Sequence, residues 1–403
     1  MTKILGETLP PRISVQRIIG KIEGSTTAPV VIFFGGLHGN EPVGIYALQE
    51  VFKQLQTKVK HVNGSVYALS GNLPALLKDV RFIEEDLNRI WTPQKIQKFS
   101  AATSGELSIE EQEAREIYKL ISALMEKHTG PFYFIDFHTT SSQTIPFITI
   151  SDSLMNRKFS SLFPVPIVLG IEEYLQGALL SYANALGYIA LAFESGQHQE
   201  KNAVHNTIAF IYLTLVFSGC LQEKEIPGFQ QYVNTLKTAA AEKNNIYEIT
   251  EHHQILEGEV FKMLPGFGNF ESVSKGTPLA ESNNNPIKST KNTILFMPLY
   301  QNQGKEGFFL IRKIPRFFLK LSAWLRASGS DALLTFLPGV SWNSPDKRSL
   351  RVNLKTARFL TKPFFHLLGY RSWQIDETHV RMSNRERVAK TSIYKTTPWY
   401  RRK

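Results

Sequence analysis

Three apolar runs in the first half of the chain end in side chains that could hold a metal ion or move a proton. "VVIFFGGLHGNEPVG", residues 30–44, buries Val30 to Phe34 and then places His38 and Glu41 three residues apart. "PFYFIDFH" ends in His138, with Asp136 two residues before it, and "YIALAFESG" delivers Glu194. A fourth segment, "RFIEEDLNRIW", contributes Arg81, Asn88 and Arg89. Each has an ordinary alternative: a hydrogen-bonded loop histidine, a glutamate complementing a helix N-terminus, a surface arginine. Taken together they match metal-assisted hydrolysis. Two histidines and one carboxylate are the protein ligands of several hydrolytic zinc sites, which keep a position open for water. A second carboxylate is then needed to take the proton of that water and pass it to the leaving amine. Arginine stays charged and donates in a planar fork, which suits an oxyanion or a substrate carboxylate.

The elements that must position these groups are readable from the pattern. Uninterrupted apolar runs predict strands buried on both faces, and Gly35-Gly36 marks a tight turn after the first. "EPVGIYALQEVFKQLQ" and "SIEEQEAREIYKLISALMEKH" predict helices, the second with Ser108 as N-cap and Glu111 completing a capping box. "GSVYALSGN", "PIVLGI" and "YIALAFE" predict further strands. The alternation through residue 222 implies an α/β domain with a largely parallel or mixed sheet, and ligands bind such sheets at the strand ends. From about 246 to 314 the segments shorten ("EGEVFKM", "NTILFMPLY", "EGFFLIRKI") and read as a small all-β domain. The expected division is a catalytic domain over 1–222, a linker and β domain over 223–315, and a basic, aromatic-rich extension over 316–403.

Composition is globular: 403 residues, 42% hydrophobic and 20% charged, too long for one ordinary core. Cys220 is the single cysteine, which excludes an internal disulfide and a cysteine-built zinc site. The start, "MTKILGETLPPRIS", has no apolar leader. The longest apolar stretch, "TIAFIYLTLVFSG", is too short to span a bilayer and predicts a buried helix. A cytoplasmic location is expected. The net charge of +11 is uneven, because residues 312–403 hold 20 Lys/Arg against 5 Asp/Glu. The acidic remainder argues against nucleic acid as a partner of the catalytic part.

The ordered segments "GGLHGNEPVG", Gly71-Asn72, "RFIEEDLNR", "DFHTTSS" and "FESGQ" resemble the motifs of the succinylglutamate desuccinylase/aspartoacylase family, over about 25–315. The resemblance implies a zinc-carboxypeptidase-like fold, a mixed sheet flanked by helices, followed by a small β domain. It implies one zinc ion per chain held by His38, Glu41 and His138. It makes Glu194 the general base and acid, Arg81 the group that polarises the scissile carbonyl, and Asn88 with Arg89 the pair that holds the substrate's carboxylate. Asp136 either orients the zinc site or makes an ordinary strand-end hydrogen bond, and Thr139, Thr140 and Ser141 follow as pocket candidates. The implied activity is hydrolysis of the amide of an N-acylated amino acid or similar small molecule. Peptide hydrolysis by a carboxypeptidase, and an inactive scaffold whose basic tail binds membrane or nucleic acid, are the alternatives.

The pattern is departed from in places. Aspartoacylases place an arginine for the aspartate side chain between the third zinc ligand and the catalytic glutamate. This chain has no arginine between Arg157 and Arg312 and reads Asn184 there, which argues against N-acetylaspartate as substrate. Tyr300 only weakly matches the tyrosine the family's β domain lends to the substrate. The tail lies outside the resemblance. Its stretch "RKIPRFFLKLSAWLRAS" places Phe317, Phe318, Leu321, Trp324 and Leu325 on one helical face beside Lys313, Arg316, Lys320 and Arg326. That face fits packing on the catalytic domain, or contact with an anionic membrane surface.

Overall fold

Val30, Val31, Ile32, Phe33 and Phe34 are all wholly buried, as a strand covered on both faces requires. The computed structural model describes residues 15–198, 200–343, 345, 347–357, 362–374, 376 and 378–401. Residues 1–14, where the expectation of no apolar leader falls, lie outside the described residues. In chain order the strands up to residue 313 are β1 (Ile18–Ile22), β2 (Val30–Gly35), β3 (Ser65–Ser70), β4 (Phe132–Thr140), β5 (Phe147–Ile150), β6 (Ile167–Leu169), β7 (Ile189–Gln197), β8 (Ile246–Gln254), β9 (Phe261–Met263), β10 (Glu271–Val273), β11 (Pro278–Ser282), β12 (Asn285–Lys288), β13 (Thr293–Phe296) and β14 (Glu306–Lys313). Eleven of them form one mixed sheet in the order β1-β3-β2-β4-β7-β5-β6-β8-β14-β13-β10, and β12-β11-β9 form a small second one. The centre, β3-β2-β4-β7, is parallel. The short strands after residue 246 continue the sheet through β8, which runs parallel to β6.

Helices cover both faces of the centre. They are α1 (Val43–Leu55), α2 (Leu73–Lys78), α3 (Pro93–Ala101), α4 (Ile109–Lys127), α5 (Leu154–Ser160), α6 (Leu179–Ala185), α7 (Lys201–Ser218) and α8 (Phe229–Ala239). Successive residues of β2 serve opposite cores. Val31 and Phe33 pack with α1, α5, α7 and α8, and Val30, Ile32 and Phe34 with α3, α4 and α6. Each such Phe contributes roughly 1.5–3 kcal/mol by burial, so the strands cannot slip register without exposing one core. Ser108 caps α4 and Glu111 closes the capping box. The long apolar stretch forms α7, apolar nearly all round because α1, α8 and the sheet enclose it. Among the described residues no helix is long and apolar enough to cross a membrane.

The extension folds. After α9 (Arg316–Ala327) come β15 (Val340–Trp342), β16 (Ser349–Asn353), β17 (Tyr370–Gln374) and β18 (His379–Asn384), an antiparallel sheet in the order β15-β16-β18-β17. Its own core includes Leu350, Val352, Phe365, Tyr370 and Met382. A buried ionic cluster joins this unit to the central domain. Asp152 accepts from Arg157 and, at 2.7 Å, from Nη2 of Arg326. Arg326 also reaches Glu386 at 3.0 Å. Arg385 pairs with Glu172 at 2.9 Å and Glu173 at 2.8 Å. Burial alone would raise the Asp152 carboxyl, but Arg157, Arg326 and Arg385 hold it far below the ordinary carboxylate range.

This docking corrects the reading of α9 as packed through its aromatic face. The buried positions are Ser322 and Arg326, Leu325 packs partly buried on the extension's core, and Phe317, Phe318 and Trp324 stand in solvent. The chain then returns to the central core. The Trp399 indole donates to the Tyr133 hydroxyl at 2.9 Å, and the Ile189 amide donates to the Tyr394 hydroxyl at 3.0 Å. Both aromatic residues are buried among α5 and β4 side chains. Trp399→Ala is expected to cost about 3–5 kcal/mol in chemical denaturation followed through the central domain. A cost near zero would show that the chain end does not brace that core.

Candidate functional site

The site lies at the C-terminal ends of β2, β4 and β7. After β2 the chain turns sharply at Gly36, whose φ of +68° lies in the left-handed region that glycine adopts without strain. Gly39 then passes against α2 so closely that a Cβ there would lie 2.1 Å from the carbonyl carbon of Ala75. The amides of Gly71 and Asn72 donate to the carbonyls of Gly35 and Gly36 at 2.8 and 2.9 Å, which pins the turn to the end of β3. His38 and Glu41 are thereby fixed on a short loop before α1. His138 comes from β4 and is the register partner of Glu194 on the parallel strand β7, so the two side chains share one face of the sheet.

The imidazoles converge on one carboxylate. Nδ1 of His38 lies 2.9 Å from Oε1 of Glu41, and Nδ1 of His138 lies 3.0 Å from Oε2. The Thr139 amide also donates to that Oε2 at 3.0 Å. The far nitrogens meet two more carboxylates: Nε2 of His38 is 3.1 Å from Asp86 and Nε2 of His138 is 2.6 Å from Asp136. Donor atoms of His38, Glu41 and His138 all lie within 4.8 Å of one another, and all three residues are buried. Carboxylates on the outer nitrogens fix ring orientation and tautomer, as metal-binding histidines require.

Charge in this buried place is strongly balanced. Burial alone would raise the Glu41 carboxyl, but His38 and His138 hold it well below the ordinary range. Burial alone would lower the His138 imidazole, but Asp136 and Glu41 hold it well above. Glu194 is different. Burial pushes its carboxyl up; His138 opposes this, Glu41 and Asp136 add to it, and the group sits at about 8. Among the described residues, the buried Oε2 of Glu194 has no hydrogen-bond partner.

Arg81 bridges two of the carboxylates, reaching Asp86 at 3.1 Å and Glu41 at 3.5 Å, and its buried Nε has no partner among the described residues. Asn88 accepts from the Leu179 amide at 2.9 Å and brings its amide nitrogen within 3.5 Å of Nε2 of His138. Arg89 donates to the Asn88 carbonyl at 2.8 Å and pairs with Glu306 of β14 at 3.2 Å. Arg81, Asn88, Arg89, Glu194 and the three clustered residues line one cavity. The lining also carries Ser181, Asn184 and Glu172, and among the described residues Oε2 of Glu172 has no partner. Thr139, Thr140 and Ser141 line it as well. Tyr300 is turned elsewhere: its hydroxyl donates to the Leu264 carbonyl at 2.8 Å.

Three positioning groups escape sequence reasoning. Asp86 stands inside the "RFIEEDLNR" segment, where nothing distinguishes it from Glu84 and Glu85; its side chain also accepts from the Asn88 amide at 2.8 Å, capping the turn that carries Asn88 and Arg89. Glu110 is wholly buried at the start of α4 and accepts the amides of Ile83, Glu84 and Glu85 at 2.7, 3.1 and 3.2 Å, holding the segment that follows Arg81. Glu306 reaches Arg89 from a strand more than two hundred residues away.

The profile of the succinylglutamate desuccinylase/aspartoacylase catalytic domain matches residues 27–214. A probable aspartoacylase from Acaryochloris marina is 27% identical over 164 residues, covering 39% of this chain and 52% of that protein. An aspartoacylase from Danio rerio is 33% identical over 143 residues, covering 36% and 42%. The chain spans about half the length of the curated relatives it matches. Among solved structures, a succinylglutamate desuccinylase/aspartoacylase from Rhodobacter sphaeroides superposes with a TM-score of 0.52 at 17% identity over 72% of this chain and 87% of that one. The product-bound ectoine utilization protein EutE (DoeB) from Ruegeria pomeroyi gives 0.51 at 15% identity over 73% and 88%. These structural likenesses show the fold: a mixed sheet with flanking helices, to which this chain adds the C-terminal sheet. Residues 27–214 are thus identified as a succinylglutamate desuccinylase/aspartoacylase catalytic domain.

Proposed function

We propose that the chain is a cytoplasmic zinc-dependent amidohydrolase that cleaves the amide of an N-acylated amino acid or a similar small molecule. The observation that carries this reading is the convergence of two imidazole Nδ1 atoms on the Glu41 carboxylate beside the unpartnered oxygen of Glu194. Two nitrogens and one carboxylate oxygen, each backed by a further carboxylate or amide, form a donor set that fits zinc. His38, Glu41 and His138 would hold one ion. When bound, zinc supplies a Lewis acid that brings the pKa of water to about 7.

The chain's own groups account for the rest. Glu194 accepts a proton from water and returns it to the leaving nitrogen, its unpartnered oxygen lying in the cavity that the three clustered residues line. Arg81, anchored by Asp86, directs positive charge at the oxygen of the scissile carbonyl. Arg89, steadied by Glu306 and set beside Asn88, receives the substrate's carboxylate. The cavity is lined by Asn184 where the family resemblance would place an arginine for a second carboxylate. N-acetylaspartate is accordingly expected to be a poor substrate.

His138→Ala is expected to lose zinc, measured by elemental analysis, while circular dichroism keeps its native form. Full zinc occupancy in that variant contradicts the assignment. Glu194→Gln keeps size and hydrogen bonding but removes the base. It should lower turnover about 100-fold or more with zinc content near wild type, and unchanged turnover contradicts the role. The two arginines should separate in kinetics. Arg81→Ala lowers kcat, because its contact matters most as charge develops on the carbonyl oxygen. Arg89→Ala mainly raises KM, and Arg89→Lys restores it only in part because a point charge lacks the fork. The reverse pattern would exchange their roles. The screen is release of free amine from a panel of N-acyl amino acids, with C-terminal release from peptides as the contrary result.

A further inference from the structure

We propose that the outer face of α9 docks on an anionic membrane surface. The helix is mounted with its polar side inward. Ser322 donates to the Leu367 carbonyl at 2.8 Å. The Arg326 guanidinium, fully buried, binds Asp152 and the carbonyls of Asp152 and His366 at 2.7 to 2.8 Å. These bonds fix the rotation of the helix about its axis and leave the aromatic side outside. Phe317 is 68% exposed, Trp324 66% and Phe318 50%. In helical projection Phe317 and Trp324 lie next to each other, with Lys320 and Arg316 beside them and Leu321 at the edge. The following 3₁₀ segment, Ser330–Phe336, also exposes Leu333 at 65% and Phe336 at 84%.

Along the chain the charge beside this apolar face is of one sign, and the nearby Glu248, which lines a cavity with Lys313 and Phe318, is paired with Arg312 at 2.6 Å. Lys313, Arg316 and Lys320 are exposed and make no ion pair among the described residues. No acidic residue occurs from 312 to 330, and Asp331 is buried against Arg387. A tryptophan and phenylalanines flanked by lysine and arginine compose an interfacial helix, whose rings enter the headgroup boundary while its cations meet anionic lipid. A protein partner is the poorer fit, since lysine is depleted at protein interfaces. A nucleic acid would engage the cations but leave Leu333 and Phe336 uncovered.

The test uses the full chain with vesicles of phosphatidylcholine alone or with phosphatidylserine. Co-sedimentation is expected with the phosphatidylserine vesicles and to weaken as salt is raised. Lys320→Ala should lower the partition about fivefold, the equivalent of ~1 kcal/mol. Trp324→Ser should lower it further while far-UV circular dichroism and the thermal transition stay unchanged, because these side chains do not hold the helix in place. Three results would overturn the proposal. One is no sedimentation with anionic vesicles at low salt. Another is equal binding to both vesicle types. The third is a Trp324-dependent self-association, or an oligonucleotide complex, that proceeds without any lipid binding.

Discussion

Everything at the site depends on one buried carboxylate. Glu41 is almost wholly removed from water, and a charge so placed persists only if each oxygen is answered. His38 answers one, and His138 with the Thr139 amide answers the other. The imidazoles in turn need Asp86 and Asp136, and Asp86 needs Arg81. The alternating charges close on themselves, so each group is held in one orientation by the next. Removing one member leaves its neighbour buried and unpaired, a far larger loss than that of a single contact. The rigidity that results is what a metal-binding constellation requires, since its ligands must be in place before the ion arrives. Glu194 stands outside the ring with an oxygen unsatisfied.

Legibility of the sequence followed the range of the interactions. His38, Glu41, His138 and Glu194 could be picked out because an uninterrupted apolar run must be a buried strand and its polar terminus must emerge at the sheet edge. Ser108 and Glu111 could be read because a capping box is local. Asp86, Glu110 and Glu306 could not, because the contacts that matter, Asp86 to His38, Glu110 to the 83–85 amides and Glu306 to Arg89, span tens to hundreds of residues and their own neighbourhoods are ordinary. Glu110 looks like any acidic residue in the first turn of a helix, yet it holds three successive amides of the loop that bears Arg81 and Asn88.

The extension shows a different kind of limit. Helical periodicity identifies an amphipathic helix at 316–327 but assumes that the apolar side is the buried one. Here Arg326 has Asp152, Glu386 and backbone carbonyls to satisfy it, so the polar side is the one that docks. The strands of the last sheet are short, and β16 and β18 alternate buried and exposed residues over only five and six positions. Such brief alternation is hard to tell from a loop until the partner strand is known. The return of Tyr394 and Trp399 to the central core makes the extension part of the fold that supports the site, not a tether hung from it.

The central claim is that the two Nδ1 atoms and Glu41 hold one zinc ion. It is tested most directly by diffraction from crystals of the zinc-loaded protein on both sides of the zinc absorption edge. One anomalous peak is predicted per chain, about 2.0–2.2 Å from Nδ1 of His38, Nδ1 of His138 and the Glu41 carboxylate. A map with no peak there, or with the ion on other side chains while this cluster keeps its internal contacts, would contradict the account.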